Sequence, residues 1–183
     1  MIRNAEIQDS REASQLIAMI VRDMGLPLVD RLSEEELLSL IEEAFLTEDN
    51  RFSRSHVRIL ESGGRVAGLA LIYPGRDASR MDRHLSELIA RRYPGELMVF
   101  DREAEEDELY VDSLCVFPEF RGQGIGTRLL EALIREAEAS EWNKLSLNVE
   151  RTNVNARRLY ERMGFRVRGE TTIAGHLYDH MTR

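Results

Sequence analysis

Cysteine and histidine are scarce in this sequence, which has one cysteine and four histidines among 183 residues. The lone thiol, Cys115, cannot form an internal disulfide, and no group of cysteines and histidines has the spacing of a metal site. No apolar run approaches the roughly 20 residues that cross a bilayer, and the first residues lack the basic-then-apolar order of a signal peptide. We therefore expect a cytoplasmic protein without a metal site or a membrane span.

Basic residues are outnumbered, because 25 Lys and Arg stand against 33 Asp and Glu and give a net charge of -8. Since the phosphates of nucleic acids attract positive charge, nucleic acid is a poor partner for such a chain. The acids are concentrated in residues 101–108, D-R-E-A-E-E-D-E. Such a run is typical of a solvated loop. The alternative is an acidic entrance that raises the encounter rate with a cationic substrate such as an amine.

The sequence has no internal repeat and no low-complexity linker, and its 43% of hydrophobic residues are enough for a normal core. We therefore predict a single domain over residues 1–183. The order of the predicted elements is that of an α+β fold with a mixed sheet. Periodicity and turn signals predict strands at 2–5, 56–61, 66–73, 109–117, 144–149, 165–172 and 176–181, and helices around 13–24, 33–45, 81–89, 124–140 and 153–163.

The segment 74–107 reads as an insertion before the central strand. It contains the predicted helix around 81–89 and most of the acidic run. Two interpretations stay open: the segment is a substrate lid, or its helix covers an edge of the sheet.

A glycine-rich turn, R-G-Q-G-I-G-T at residues 121–127, joins the predicted central strand to the long helix that follows. Glycines let main-chain N–H groups approach a ligand without interference from Cβ, and the first-turn amides of a helix attract a diphosphate. Arg121 adds a positively charged fork. Alone the turn is a weak signal, because these glycines also fit a tight connection between a strand and a helix.

Two other phosphate-binding motifs fit this turn less well. A P-loop requires Gly-Lys-Ser/Thr, whereas Gly126 is followed by Thr127 and Arg128. A dinucleotide-binding fingerprint requires glycine at position 127 and a shorter, proline-free connection from the strand, although Glu150 at the end of the next strand would suit it. A Rossmann-type oxidoreductase is therefore the weakest of the alternatives.

A second motif, L-x-V-x-x-x-N-x-x-A-x-x-L-Y-x-x-x-G-F, spans residues 147–165. Together with L-x-V-x-P-x-x-R-x-x-G-x-G at 114–126, it makes residues 109–165 resemble the GNAT superfamily of acyl-CoA-dependent N-acyltransferases. Two linked motifs in the expected order are more specific than either alone. The resemblance implies three layers (α/β/α), with helices on both faces of a mixed, mostly antiparallel sheet of about six to seven strands. It also implies acetyl-CoA (coenzyme A) as the bound cofactor.

The same resemblance implies roles for individual residues. Strand residues pair with pantetheine between two splayed strands: Leu114, Cys115 and Val116. The turn holds the pyrophosphate with Arg121, Gly122, Gln123, Gly124, Ile125, Gly126 and Thr127. The second motif supplies further cofactor contacts through Asn153, Ala156 and Tyr160, with Asn153 hydrogen-bonded to the pantetheine chain.

Two residues are predicted to be catalytic. Tyr160 matches the family position that protonates the departing thiolate, although its spacing from Ala156 and Met163 also fits a core stripe. An ammonium must lose a proton before it attacks, and Asp112 is the predicted base because a carboxylate in an apolar strand is costly unless it is paired or used. A structural hydrogen bond is the alternative. A lone cysteine on a buried strand is typical of a small apolar residue, so we expect direct transfer rather than an acyl-enzyme on Cys115.

These features predict an N-acetyltransferase that moves an acetyl group from acetyl-CoA directly to a primary amine of a small molecule or peptide. The alternative is a noncatalytic acyl-CoA-binding or sensing module in which Tyr160 only packs. Dimers are common in similar proteins, and an exposed edge strand near the C-terminus could support a homodimer.

Overall fold

The computed structural model describes residues 1–142 and 144–183. Its strands are β1 (Ile2–Asn4), β2 (Val57–Ser62), β3 (Arg65–Pro74), β4 (Leu109–Val116), β5 (Leu145–Glu150), β6 (Arg166–Ile173) and β7 (His176–Thr182). They form one seven-stranded sheet in the order β1-β2-β3-β4-β5-β7-β6. Neighbouring strands are antiparallel except β4 and β5, which are parallel. The predicted mixed, mostly antiparallel sheet is therefore confirmed.

The helices are α1 (Ser10–Asp23), α2 (Pro27–Arg31), α3 (Glu34–Leu46), α4 (Ala78–Arg92), α5 (Ile125–Glu138) and α6 (Val154–Arg162). The capping box predicted at the start of α3 is present: Oγ of Ser33 accepts from the Glu36 amide at 3.2 Å, and the Glu36 carboxylate accepts from the Ser33 amide at 2.8 Å. Helix α2 was not predicted. Pro27 was interpreted only as the end of α1, but a proline also suits the first turn of a helix.

The helices cover both faces of the sheet, as predicted. Helix α5 packs on one face through Leu129, Leu130 and Leu133, with α6 beside it. Helices α1 and α3 pack on the other face through residues that include Leu16 and Phe45. No helix within the described residues is both long and apolar enough to cross a membrane.

The helix predicted around 81–89 is present as α4, and it lies against another helix. Its residues Leu85, Leu88 and Ile89 pack with Leu40 and Ala44 of α3. The chain from residue 93 to residue 108 then returns to β4 with no regular secondary structure. Part of this return lines the cavity described below. A role as a substrate lid, like the boundary of a single domain at 1–183, stays a prediction.

Candidate active site

Strand β4 carries a β-bulge at Asp112. Leu71 of β3 pairs with Ser113, but Ile72 pairs with Val111, so Asp112 has no opposite residue on β3. A bulge bends its strand and increases the local twist. The pairing of β4 with β5 ends at the same point, with Val111 opposite Leu147. The two parallel strands therefore separate from Asp112 onward, and residues 113–116 have no pairing to β5.

The bulge also shifts the alternation of side chains along β4. Val111 lies in the core beneath α5, and so do Leu114 and Val116 after the bulge. Cys115 packs on the opposite face, against the cluster that contains α1. The side chains of these three predicted cofactor residues are thus engaged with the two cores. A ligand in the gap between β4 and β5 would meet the main chain of residues 113–116.

The glycine-rich turn follows β4 after four residues that include a short 3-10 turn, and its residues 121–124 are exposed. Gly122 and Gly124 have φ angles of 75° and 74°, in the left-handed region that favours glycine. Arg121 ties the turn to the strand, because its Nε donates to the carbonyl of Val116 at 3.2 Å. Helix α5 starts at Ile125, and the first N–H groups of a helix have no acceptor within it. Among the described residues, no backbone acceptor outside the helix pairs with the amides of residues 122–127, which lie at the positive end of a helix dipole.

Gly126 and Thr127 belong to the first turn of α5, which lies close to β4. A Cβ atom on Gly126 would come within 3.3 Å of Cδ2 of Leu114. The glycine therefore lets the start of the helix approach the strand beside which the gap opens. On the exposed side of the turn, Nε2 of Gln123 donates to the carbonyl of Glu119 at 3.1 Å, so this side chain stabilises the turn itself.

Helix α6 is held by a cap and by ion pairs. Oδ1 of Asn153 accepts from the amide of Ala156 at 3.1 Å, which makes Asn153 the N-cap. Asp179 of β7 is buried and pairs with Arg151 at 2.9 Å and with Arg157 of α6. These contacts fix the orientation of the helix that carries Tyr160.

Tyr160 is half-buried and packs edge to face with Phe165, with ring centroids 6.1 Å apart. Its hydroxyl has no hydrogen bond to any described residue, although its side chain contacts the core beneath α5. Burial raises the pKa of Tyr160 above its usual value. The side chain therefore stays protonated near neutral pH, and its hydroxyl is available as a donor.

A cavity of about 210 Å³ opens on the α1 face of the sheet, beside the bulge. It is lined by Asp112, Ser113 and Leu114 of β4 and by Asn148 of β5, so it adjoins the point where these strands separate. Apolar side chains from α1, α2, α3 and α4 form most of its wall. Its polar end is formed by residues that include Arg51, Glu103 and Tyr110.

Arg51 lies at the centre of a buried cluster of charge. Its side chain is 4% exposed and contacts three carboxylates: Asp82 at 2.9 Å, Glu103 at 2.9 Å and Asp112 at 3.6 Å. Burial raises the pKa of Glu103 and raises that of Asp82 to about 6, against the opposing charge of Arg51. The cluster holds one cation and three acids, so it has an excess of negative charge when all three are ionised.

Both carboxylates that face the cavity are also hydrogen-bonded. Asp112 accepts from Tyr73 at 2.5 Å and from Ser113 at 2.7 Å. Glu103 accepts from the hydroxyl of Tyr110 at 2.8 Å, in addition to its contact with Arg51. Each oxygen thus keeps lone pairs for a further donor. The arrangement can hold an ammonium group and can accept a proton from it.

The likeness of the whole chain to known proteins agrees with the family suggested by the two motifs. The model of the acetyltransferase (GNAT) family matches residues 23–165 of the chain. The chain belongs to this family. The predictions of the GNAT family, of its fold and of an acetyltransferase are therefore confirmed, and acetyl-CoA is the acyl donor of the family.

Two solved structures and one curated relative are also similar to this GNAT chain. A crystal structure of an acetyltransferase superposes with a TM-score of 0.89 at 36% identity, covering 100% of this chain and 98% of the other. The N-acetyltransferase of Staphylococcus aureus Mu50 gives a TM-score of 0.89 at 30% identity, with 100% of both chains covered. The spermine/spermidine N(1)-acetyltransferase of Bacillus subtilis (strain 168) is 28% identical over an alignment of 102 residues that covers 50% of this chain and 67% of that enzyme.

Sequence reasoning missed two charged residues that line the cavity, Arg51 and Glu103. Arg51 follows a helix without any motif, and only its burial among three acids reveals it. Glu103 belongs to the acidic run, which was interpreted as a solvated loop or an acidic entrance as a whole. The acids of that run differ in burial. The side chains of Glu103 and Glu108 are largely buried and pair with Arg51 and His180. Those of Glu105, Glu106 and Asp107 are exposed. No sequence signal distinguished the two groups.

Proposed function

We propose that this GNAT chain transfers the acetyl group of acetyl-CoA directly to the primary amine of a small molecule or peptide. One observation carries the proposal: β4 separates from β5 from Asp112 onward, on the strand that leads into the turn whose amides, at the start of α5, have no partner among the described residues. A thioester arm laid in that gap would reach the cavity beside Asp112, while its diphosphate rested on the turn. The likeness to a Bacillus subtilis spermine/spermidine acetyltransferase supports an amine acceptor.

The cofactor contacts follow from this placement. Main-chain groups of residues 114–116 would bind pantetheine, because they have no pairing to β5. Amides between Gly122 and Thr127 would bind the pyrophosphate, and Arg121 would add charge at the rim. Asn153 has its Oδ1 engaged in the cap of α6, which leaves its side-chain NH₂ group as the donor for a cofactor carbonyl. Ala156 lies in the first turn of the same helix.

The chemistry requires one proton donor and one proton acceptor. Tyr160 supplies the donor for the thiolate that leaves, because its raised pKa keeps it protonated and its hydroxyl has no described partner. Asp112 and Glu103, which share Arg51, act as a pair that accepts the proton of the ammonium. Attack of the neutral amine on the thioester carbonyl would form the amide as the C–S bond breaks. The thiolate would take the proton of Tyr160, and the second proton lost by the nitrogen would return to the Tyr160 phenolate. Cys115 takes no part in this reaction, since its side chain packs against the cluster that contains α1 and does not line the cavity.

Three further expectations stay predictions. The first is the cytoplasmic location, and the second is that nucleic acid is not a partner. The third is a homodimer, for which β6 is the C-terminal edge of the sheet.

The direct test measures thiol release from acetyl-CoA in the presence of primary amines, with an amine-free reaction as the control. We expect release that depends on both substrates and an acetylated amine detected by mass spectrometry. Binding of coenzyme A without thiol release from any amine would instead identify a noncatalytic binding module.

The Tyr160→Phe variant tests the proposed role of Tyr160 as the proton donor to the departing thiolate. Without the hydroxyl, we expect kcat to fall about a hundredfold while KM for acetyl-CoA is unchanged, because general acid catalysis contributes about that factor. Tyr93→Phe is the matched control, since Tyr93 lies at the end of α4, away from the gap. An unchanged kcat in Tyr160→Phe would exclude the proposed acid.

A further inference from the structure

We infer that the cavity beside the bulge selects a primary amine that carries an apolar chain of about six carbons. The amine binds with its ammonium at Glu103 and Asp112 and its chain against the apolar wall. The inference rests on the proposed function, and it names the class of acceptor for that same site. It differs from a polyamine acceptor, which the Bacillus subtilis relative uses according to its name.

The wall of the cavity is apolar over most of its extent. It includes Met24 just after α1, Leu28 of α2, Leu40 of α3, Ile89 of α4, and Met98 and Phe100 of the irregular chain after α4. The volume of about 210 Å³ exceeds that of an engineered apolar cavity of about 150 Å³ that binds benzene, a ligand of six carbons. An amine with a chain of about six carbons therefore fits the space.

The negative charge lies at one end only. Glu103 and Asp112 are the carboxylates among the described residues that line the cavity, and their side chains are 10% and 8% exposed. Together with Asp82 they surround the single guanidinium of Arg51. An ammonium at this end compensates the excess negative charge, and each carboxylate still has lone pairs to accept its hydrogen bonds.

Because the wall is apolar and the charge lies at one end, the cavity suits two other occupants less well: a polyamine and an extended acyl chain of the donor. The second ammonium of a polyamine would lie against Leu, Ile and Met side chains, where an unpaired charge is costly. An extended acyl chain from the donor would suit the walls, but it would leave Glu103 and Asp112 desolvated without a cation. An amine that is charged at one end and apolar at the other satisfies both parts of the cavity.

The test compares kcat/KM for three amines with acetyl-CoA as donor: n-hexylamine, 2-(2-aminoethoxy)ethanol and spermidine. The first two have the same number of heavy atoms, and rates are compared at equal concentrations of the ammonium form, which is the species placed at Glu103 and Asp112. Each methylene that moves from water into apolar surroundings gains about fourfold. We therefore expect n-hexylamine to exceed both of the others at least tenfold.

Two neighbouring residues provide a matched pair of variants. Met98 lines the cavity and is partly exposed, whereas Leu97 is 82% exposed and does not line it. We expect Met98→Gln to reduce the preference for n-hexylamine over 2-(2-aminoethoxy)ethanol at least threefold. Leu97→Gln should leave that ratio unchanged. KM for acetyl-CoA and the thermal unfolding midpoint show that both variants keep the fold and the cofactor site.

The outcomes are distinguishable. Equal or better turnover of the polar amine or of spermidine overturns the inference and leaves the acetyltransferase proposal in place. A preference for hexanoyl-CoA over acetyl-CoA that Met98→Gln removes would assign the cavity to the acyl chain and also overturn the inference. No thiol release with any amine would overturn the proposed function itself.

Discussion

The hydroxyl of Tyr73 donates a 2.5 Å hydrogen bond to Oδ2 of Asp112, across the ladder between β3 and β4. Tyr73 is almost fully buried, and burial raises its pKa, so the phenol remains a donor. The bond holds the carboxylate at the bulge, at the point where β4 separates from β5. The same hydrogen bond therefore stabilises the pairing of β3 with β4 and fixes the position of the Asp112 carboxylate in the proposed site.

Tyr73→Phe should remove this donor without changing the shape of the core. A hydrogen bond to a charged group contributes about 1.5–3 kcal/mol, so we expect the free energy of unfolding to fall by about that amount. Chemical denaturation measures the change, and Tyr93→Phe is the control. An unchanged free energy of unfolding would show that Asp112 is satisfied by Ser113 and Arg51 alone.

The pKa of Asp82 predicts how stability depends on pH. Burial raises this pKa from 3.8 to about 6, so the folded protein holds the proton more tightly than the unfolded chain between those values. The contribution of Asp82 is therefore fully present below the lower value and is lost as pH rises to the higher one. With about 1.4 kcal/mol per pKa unit, the loss is up to about 3 kcal/mol.

The Asp82→Asn variant tests this linkage. Its amide oxygen can still accept from Nε of Arg51, but it cannot titrate. Denaturation at several pH values between 4 and 7 should therefore show a smaller decline in the variant than in the wild-type protein. The same slope in both would place the proton uptake on another group of the cluster.

Glu103→Gln should lower kcat/KM for the amine about a hundredfold, because it removes one member of the proton-accepting pair. In the wild-type protein, kcat/KM should fall as pH decreases through the raised pKa of Glu103, since the protonated acid cannot accept a proton. The measurement is the pH profile of both proteins. Glu106→Gln is the control, because Glu106 is exposed in the same segment. An unaltered acid limb in Glu103→Gln would assign the base to Asp112 alone.

Gly124→Ala should weaken the binding of acetyl-CoA. A non-glycine residue at a φ of 74° costs about 1–2 kcal/mol, and relief of that strain moves the amides of the turn. Gly63→Ala is the matched control, because Gly63 has a φ of 61° in the β2–β3 hairpin, far along the chain from the turn. Both variants should lose similar stability, but only Gly124→Ala should raise KM for acetyl-CoA, by about tenfold. Equal KM values would show that the turn does not bind the cofactor.

The sequence predicted the elements well where hydrophobic periodicity and turn residues agreed. The Gly63-Gly64 hairpin, the capped helix α3 and the strand–turn–helix unit around residues 121–127 all lie where they were expected. Helix α2 was missed, because five residues are too short to show a helical period and Pro27 has two interpretations.

The site was predicted only in part. The glycine turn and α6 carry motifs, so their residues could be named from the sequence. Asp112 was identified because a carboxylate in an apolar strand needs an explanation, and the structure gives it Tyr73, Ser113 and Arg51 as neighbours. Arg51 and Glu103 are 52 residues apart and carry no local signal, so their contact depends on how distant segments meet.

The sequence by itself determined the protein family. Its two motifs, the glycine-rich turn and the spaced Asn, Tyr and Gly-Phe pattern, depend on residues that are close together in the chain, so they can be recognised without the tertiary structure. Only the tertiary structure decided the surroundings of the cavity beside the bulge. The bulge at Asp112, the end of the β4–β5 pairing and the acids around Arg51 arise from strand register and from helix packing. These are long-range relationships between segments, and no local pattern of residues encodes them.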